Sequence, residues 1–219
     1  MLSVKPLHNS QSDWGGAAAC TVCCCTLSRY ILLFRDQLDL NHPTTLRHVD
    51  SAIGEAVGDW LELSAGFLYP AEVLSSLPGL AEDLCVVDEV PVNAEGPLRD
   101  DDNHLIVQGL AEALDDWDRN HATSTTCAIV RGGYTFLLFK LKANYFIIDT
   151  HANSIERHAH KLADYAHVQS DSTGLLLSTL FFQEIINFVQ QYSPTVTGDQ
   201  SLFNTSSNQL DLTYLALTE

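Results

Sequence analysis

Residues 125–151 read TTCAIVRGGYTFLLFKLKANYFIIDTH, and this stretch decides the fold. Its first part contains two runs rich in apolar and β-branched residues, from Thr125 to Arg131 and from Tyr134 to Leu141. Gly132-Gly133 separates them, and a glycine pair between two such runs is typical of a tight hairpin turn. The pattern therefore predicts two antiparallel strands joined by that turn.

The last run of this stretch places two polar side chains at a strand end. Lys142-Ala143-Asn144 predicts another turn, and Tyr145 to Ile148 predicts a third strand, which Asp149-Thr150-His151 follows directly. Because residues i and i+2 of a strand point to the same side, the Asp149 carboxylate and the His151 imidazole should emerge together. A carboxylate that fixes the tautomer and orientation of an imidazole is what a general base requires.

Helical patterns dominate the first half of the chain. Apolar residues recur at spacings of three and four over three segments, Cys20 to about Phe34, Pro43 to about Ser64 and Leu105 to Trp117. A shorter helical stretch from Leu68 to Leu84 is interrupted at Pro78-Gly79. These segments predict several helices ahead of the strands.

The remaining segments of the chain are expected to form a mixture of strands, loops and one further helix. We expect an irregular leading segment over residues 1–19, a short strand at Cys85-Val86-Val87, a polar loop from Asn93 to Asp102, a long apolar helix from Leu175 to Tyr192 and a last strand from Leu210 to Leu217. Helices then precede a mostly antiparallel sheet, which is the α+β order. No internal repeat or low-complexity tract divides the chain, so we expect residues 1–219 to form a single domain.

The composition excludes several classes of protein. No apolar run approaches the roughly 20 residues of a membrane span, and residues 1–9 lack the basic and apolar regions of a secretion signal. The net charge of −17, from 28 acidic and 11 basic residues, repels phosphate backbones and anionic lipid. Neither nucleic acid nor a membrane is therefore an expected partner. The charge favours a basic partner, or it serves solubility alone.

Four of the six cysteines crowd into one predicted helix, at Cys20, Cys23, Cys24 and Cys25. Neighbouring residues of one helix cannot adopt disulfide geometry with each other. No second Cys-x-x-Cys or His-x-x-x-His completes a zinc site with Cys20 and Cys23. We therefore expect no metal and no cofactor, and most of these thiols should pack in the core. The expected location is a reducing intracellular compartment, the cytoplasm or nucleus, including that of a host cell.

Cys20 differs from the other thiols because it opens the helix. Unpaired amides and the helix dipole stabilise a thiolate in a first helical turn, and a nearby imidazolium adds to this effect. Gly15-Gly16 lies just ahead and leaves room for a substrate chain. We interpret Cys20 as a nucleophile, His151 as its base and Asp149 as the residue that orients the base. A buried structural thiol and a solvated strand end are the alternatives.

Acyl transfer also requires hydrogen-bond donors for the oxyanion. The backbone amide of Cys20 is one donor, and the side-chain amide of Gln11 or of Asn9 is a candidate for the second. Either amide also fits a solvated loop. Neither Ser28 nor Ser124 lies in a Gly-x-Ser-x-Gly elbow, so the nucleophile is interpreted as a cysteine.

Several segments occur in an order that is known from one protein family. In chain order they are Gln11-Ser12-Asp13, Ala18 to Cys23, Leu46, Ile53, Gly58-Asp59-Trp60, Cys127 to Lys140, Ile147 to His151, Leu175 to Tyr192 and Leu210 to Leu217. They are similar to the Gln-x-Asp-like element, the cysteine-led helix, the next helix, the hairpin, the Asp-Ser-His and the closing helix and strand of a deubiquitinase. The chain thus resembles the deubiquitinase domain of the herpesvirus large tegument protein over most of its length.

This resemblance implies a papain-like fold, with N-terminal helices packed on the sheet, and a cysteine peptidase that cleaves isopeptide bonds after the C-terminal glycine of ubiquitin. Carried over by position, it implies that Cys20 is the nucleophile, His151 the base, Asp149 its orienting partner and Gln11 the oxyanion donor. The implied partner is ubiquitin or polyubiquitin, bound by a monomeric enzyme.

The acidic residues suit ubiquitin, whose tail carries arginines and whose contact face is largely basic. Candidate substrate contacts are Asp100, Asp101, Asp102 and Asp116, together with Asp115 and Asp118, and Trp117 is a candidate anchor beside them. A solvated acidic face and a core tryptophan are the alternatives. Two other functions stay open, a cysteine peptidase or amidase with a different substrate and a non-catalytic ubiquitin-binding module.

Overall fold

One sheet of nine strands organises the part of the chain that the computed structural model describes, residues 3–64, 66–94, 98–99, 106–131, 133–151, 174–191 and 209–218. The strands are β1 (Ser3–Pro6), β2 (Leu84–Asn93), β3 (Leu98–Arg99), β4 (Ile106–Gly109), β5 (Thr125–Arg131), β6 (Tyr134–Leu141), β7 (Asn144–Asp149), β8 (Leu175–Thr179) and β9 (Gln209–Leu217). The α-helices of these residues are α1 (Cys20–Phe34), α2 (Pro43–Leu63), α3 (Pro70–Ser76), α4 (Pro78–Ala81), α5 (Leu110–Asn120) and α6 (Phe182–Gln191). A 3₁₀-helix covers Gln11–Trp14. The fold is mixed α+β.

The three-stranded meander expected from the sequence lies within this sheet. β5 and β6 pair antiparallel up to Arg131 and Tyr134, and β6 pairs antiparallel with β7. Gly133 of the turn has a φ of +82°, which L residues rarely adopt, so the turn needs glycine there. The full strand order is β1-β8-β7-β6-β5-β9-β2-β4-β3, and the only parallel pair of these described strands is β2 with β4. The mostly antiparallel sheet is confirmed.

Each face of the sheet contributes to a separate hydrophobic core. The first core holds residues of α1, α2, α3 and α4, and the second holds residues of α5 and α6. Strand β8 shows how the sheet serves both, because Leu176 belongs to the first core while Leu175 and Leu177 belong to the second. This alternation follows from the two-residue period of a strand.

The expected long helix from Leu175 to Tyr192 is wrong in its first part. Leu175–Thr179 is a strand that pairs with both β1 and β7, and helix α6 begins only at Phe182. A leucine run is apolar on every face, so its period does not separate a buried strand from a buried helix. The Thr179 hydroxyl ends the strand by accepting a hydrogen bond from the Phe181 amide at 3.0 Å.

Other boundaries also differ from expectation. Helix α5 begins at Leu110 rather than Leu105, because Ile106–Gly109 forms β4 beside β2. The leading segment is not irregular throughout, since it contains β1 and the 3₁₀-helix. Strand β2 is longer than the expected Cys85-Val86-Val87, and β3 lies inside the expected loop. The strands β1 to β4 therefore interrupt the helix-first order, whereas the extents of α1 and α2 are confirmed.

The expected core role of the helical cysteines is confirmed. Cys23, Cys24 and Cys25 are buried in the first core, and all six cysteines of the chain are free thiols. Trp117 is fully buried in the second core, and its indole N–H donates to the Thr125 hydroxyl at 3.0 Å. The tryptophan is therefore a core residue rather than an anchor for a partner.

Gly16→Ala is expected to lower the free energy of unfolding by about 1–3 kcal/mol, the usual cost of overpacking. A Cβ at this position would lie 2.7 Å from Cγ2 of Val57 in α2. Gly58→Ala is the matched control, because nothing lies within 4 Å of its Cβ position and the helix interior favours alanine by about 0.5–1 kcal/mol. Urea denaturation measures both, and equal effects at the two positions would contradict the packing argument.

Candidate active site

The start of α1 is held against the start of β6. Cys20 is the first residue of α1, and the hydroxyls of Thr21 and Thr135 are hydrogen-bonded at 2.8 Å. The Cys20 Sγ lies 3.9 Å from the carbonyl oxygen of Gly133 in the hairpin turn. The sheet hairpin therefore brings its turn directly beside the thiol at the helix start.

Asp149 and His151 form the pair that the strand period predicts. The Nδ1 of His151 lies 2.6 Å from Oδ1 of Asp149, and the His151 backbone amide donates to the same oxygen at 3.0 Å. Both side chains are buried, with Asp149 entirely inaccessible. These two bonds fix the ring. Because Nδ1 faces the carboxylate, Nε2 is the nitrogen that remains for Cys20, whose thiol is hydrogen-bonded to the imidazole.

The charges of this cluster stabilise one another. Burial raises the pKa of the Cys20 thiol, but the hydrogen bond and the charge of His151 outweigh it and hold that pKa below its ordinary value. Burial lowers the pKa of His151, but the charge and hydrogen bond of Asp149 raise it to about 10. A lowered thiol pKa beside a raised imidazole pKa favours a thiolate and an imidazolium at neutral pH.

The other thiols of α1 have the opposite environment. Burial raises the pKa of Cys23 and of Cys24 well above the ordinary range, and it raises the pKa of Cys25 to about 12. Burial therefore favours the neutral thiol in each of them, and Cys20 is the thiol of this helix whose surroundings favour the thiolate.

Gln11 is also brought to this cluster. Its backbone amide donates to the Thr150 carbonyl oxygen at 2.8 Å, and its side-chain Nε2 donates to the Ala17 carbonyl oxygen at 3.4 Å. The alternative Asn9 has its backbone amide held by Asp50 of α2 at 3.2 Å. The geometry therefore favours Gln11 over Asn9 as the side-chain amide of the site.

The role expected for Gly15-Gly16 differs from what the structure shows. Gly15 ends the 3₁₀-helix with a φ of +87°, and Gly16 packs against Val57. The glycine that lies beside the thiol is Gly133, which the sequence assigned only to the hairpin. The glycine pair ahead of Cys20 therefore serves a turn and the packing of α2.

Three residues of the site were missed by sequence reasoning. Tyr134 packs its ring on His151, with centroids 4.7 Å apart, Thr135 contacts the start of α1, and Thr150 contacts Gln11. Sequence position holds a weak signal for each, because Tyr134 and Thr135 follow the hairpin turn and Thr150 separates Asp149 from His151.

The structure does not bring Asp116 to this cluster. Its helix, α5, covers the second core, whereas α1 covers the first, and its Oδ1 accepts a hydrogen bond from Asn120 at 2.7 Å. Asp118 accepts hydrogen bonds from Lys140 and Tyr145 at 2.7 and 2.9 Å. The other candidate contacts, Asp100, Asp101 and Asp102, lie outside the described residues.

The described residues show neither a metal-binding cluster nor a membrane-spanning helix. Within those ranges, no group of three or more His, Cys, Asp or Glu side chains is arranged to hold a metal ion. No helix in the same part of the chain combines the length and apolarity needed to cross a bilayer.

Alkylation of Cys20 by iodoacetamide is expected to reach its full rate at a lower pH than alkylation of an ordinary thiol. Its lowered pKa keeps the thiolate populated until the pH falls through that pKa, and deprotonation of His151 near pH 10 leaves the thiolate intact. An ordinary thiol instead gains about tenfold in rate per pH unit up to about pH 8.5. Mass spectrometry of the Cys20 peptide measures the profile, and a rate that climbs steadily between pH 7 and 9 would refute the ion pair.

A solved structure matches nearly all of this chain. It is the crystal structure of the ubiquitin-specific protease encoded by murine cytomegalovirus tegument protein M48, in complex with a ubiquitin-based suicide substrate. The TM-score is 0.64, and the match covers 99% of this chain and 87% of that one. The two chains share a fold. Their sequence identity is 12%.

The likeness to the M48 protease is one of structure and not of sequence. No protein-family model matches this chain, and no curated protein sequence matches it. The match nevertheless spans both cores and the sheet between them rather than the site alone, because it covers almost every residue.

Proposed function

We propose that this protein is a papain-like cysteine peptidase that removes ubiquitin from its conjugates. One observation carries the proposal, the hydrogen-bonded series of Cys20, His151 and Asp149 where β7 ends beside the start of α1. Its order is nucleophile, base and orienting carboxylate, as in a hydrolytic triad. The fold likeness to a ubiquitin-specific protease supports the substrate class.

In the proposed reaction, each step of acyl transfer is assigned to a residue of this cluster. The Cys20 thiolate attacks the carbonyl carbon of ubiquitin's C-terminal glycine, and the backbone amide of Cys20 and Nε2 of Gln11 donate to the resulting oxyanion. The His151 imidazolium gives its proton to the departing lysine amine, which leaves a thioester. His151 then takes a proton from water, the hydroxide attacks the thioester, and the thiolate is released.

Two further features support ubiquitin as the substrate. The crystallised M48 protease holds a ubiquitin-based suicide substrate. The net charge of −17 complements a basic partner, because opposite potentials accelerate encounter and suppress wrong partners.

The proposed enzyme acts as a monomer in the cytoplasm or nucleus of a cell. Its cysteines are free thiols, and a reducing compartment keeps thiols in that state.

A ubiquitin that carries a C-terminal electrophile tests this function. The expected result is a covalent adduct on Cys20, identified by mass spectrometry and blocked by prior alkylation. Iodoacetamide, which needs only a reactive thiolate, is the matched reagent. Alkylation without a ubiquitin adduct would indicate a cysteine peptidase or amidase with a different substrate. Failure of both reagents at Cys20 would indicate a non-catalytic module.

A further inference from the structure

Thr150 lies at the centre of the site, yet the acid–base scheme gives it no role. Its neighbours in sequence, Asp149 and His151, are the orienting carboxylate and the base. The Thr150 side chain is only 1% exposed. Its hydroxyl donates a hydrogen bond to Oε1 of Gln11 at 2.9 Å, and it lies within hydrogen-bonding reach of the buried Cys23 thiol.

Gln11 is thereby attached to Thr150 at two points. The Gln11 backbone amide donates to the Thr150 carbonyl oxygen at 2.8 Å, and the Thr150 hydroxyl binds the Gln11 side chain. Gln11 is itself buried, with 1% of its surface exposed. A side chain held at its backbone and at its terminal oxygen has little freedom to rotate.

The Thr150 hydroxyl also determines which way the Gln11 amide faces. The carbonyl oxygen of Ala17, on the opposite side of the amide, accepts from Nε2 at 3.4 Å and cannot face another oxygen. The Oε1 atom must therefore turn to Thr150, whose hydroxyl is its donor. With this orientation Nε2 contacts the backbone of Ala17, three residues before Cys20 begins α1.

We propose that Thr150 is a positioning residue for the oxyanion donor. Its hydroxyl holds the Gln11 amide so that Nε2 faces the oxygen that becomes negative when Cys20 attacks a carbonyl. The inference rests on the acyl-transfer step of the proposed function. The tripeptide Asp149-Thr150-His151 then positions both halves of the site, the base through its first residue and the oxyanion donor through its second.

Thr150→Val tests the proposal because valine keeps the shape of threonine and removes only the hydroxyl. The expected result is a fall in kcat of about tenfold with KM unchanged, part of the loss seen when an oxyanion donor is removed. Thr150→Ser is expected to restore kcat, since serine retains the donor. The pH profile of Cys20 alkylation should stay that of the wild type, because alkylation forms no oxyanion. Should Thr150→Val fail to fold, Thr150→Ala lacks the same hydroxyl and replaces it.

A double-mutant cycle separates positioning from general stability. In a Gln11→Ala background, Thr150→Val should cost nothing further in kcat, because the amide it positions is already absent. Thr126→Val is the matched control. The buried Thr126 hydroxyl donates a hydrogen bond of 2.8 Å to the Ser28 hydroxyl, outside this cluster, so kcat of the variant should equal that of the wild type. Additive losses in the cycle, or a wild-type kcat for Thr150→Val, would overturn the proposal.

The series is measured with two substrates, so that failure of the substrate class and failure of this inference are distinct. One is ubiquitin with a fluorogenic C-terminal amide, and the other is p-nitrophenyl acetate, a small ester that needs an oxyanion donor but no ubiquitin. Cleavage of the ester alone would reject ubiquitin as the substrate. The double-mutant cycle would then be measured with the ester. If the wild type cleaves neither substrate, both proposals are refuted.

Discussion

Cys20→Ala is expected to abolish hydrolysis of ubiquitin conjugates, with a loss of about a millionfold, as when the nucleophile of another acyl-transfer triad is removed. The reason is that Cys20 is the thiol of α1 whose pKa is lowered, while burial raises that of its neighbours. Release of a fluorophore from the ubiquitin C-terminus measures the rate. The adduct with electrophilic ubiquitin should disappear in the same variant.

Cys24→Ala and Cys25→Ala are matched controls for this loss. Both thiols are buried in α1, so each change removes a sulfur from the same helix and the same core. The free energy of unfolding should fall slightly in these variants while kcat remains near that of the wild type. An adduct that survives Cys20→Ala and disappears in Cys23→Ala or Cys24→Ala would refute the assignment of the nucleophile.

Asp149→Asn is expected to lower kcat by about ten-thousandfold, the loss that follows when a triad carboxylate becomes an amide. The buried carboxylate oxygen accepts hydrogen bonds from both Nδ1 and the backbone amide of His151. An amide turned toward Nδ1 would stabilise the wrong tautomer of the ring. Loss of the negative charge also removes the largest effect that raises the pKa of His151.

The alkylation profile of Asp149→Asn gives an independent readout. Without the Asp149 charge the pKa of His151 falls, so less imidazolium is present to stabilise the Cys20 thiolate. The pH at which alkylation becomes fast should therefore move upward from that of the wild type. Asp118→Asn is the matched control, because this carboxylate binds Lys140 and Tyr145 rather than the histidine, and its profile should not move. An unchanged profile in Asp149→Asn would show that the carboxylate does not set the charge of the pair.

Elements with a strong local signal agree with the structure. The hairpin of β5 and β6, the following strand β7 and the extents of α1 and α2 all match expectation, because turn glycines and regular apolar spacing specify them within a few residues. Strand β8 was expected to be helical. Its leucines are apolar on every side, and only pairing with β1 and β7 selects the strand.

Some features of the candidate site follow from local sequence, and others depend on the tertiary structure. That Asp149 and His151 share a side of the chain follows from the two-residue period of a strand, and that Cys20 starts a helix follows from its apolar spacing. The residues alone left the second donor open between Gln11 and Asn9, the resemblance implied Gln11, and the contact of Gln11 with Thr150 brings that side chain to the site. Gln11 and Thr150 are 139 positions apart, and at that separation a local sequence pattern holds no information on contacts.

The sequence by itself determined the local chemistry of this protein, a carboxylate and an imidazole on one strand end and a thiol at one helix start. Only the tertiary structure decided that these groups meet, because sheet register and helix packing bring distant segments together. The pKa of the thiol was also decided there, since burial raises it and the hydrogen bond and charge of His151 lower it. Both are properties of the space around an atom and not of its neighbours in the chain.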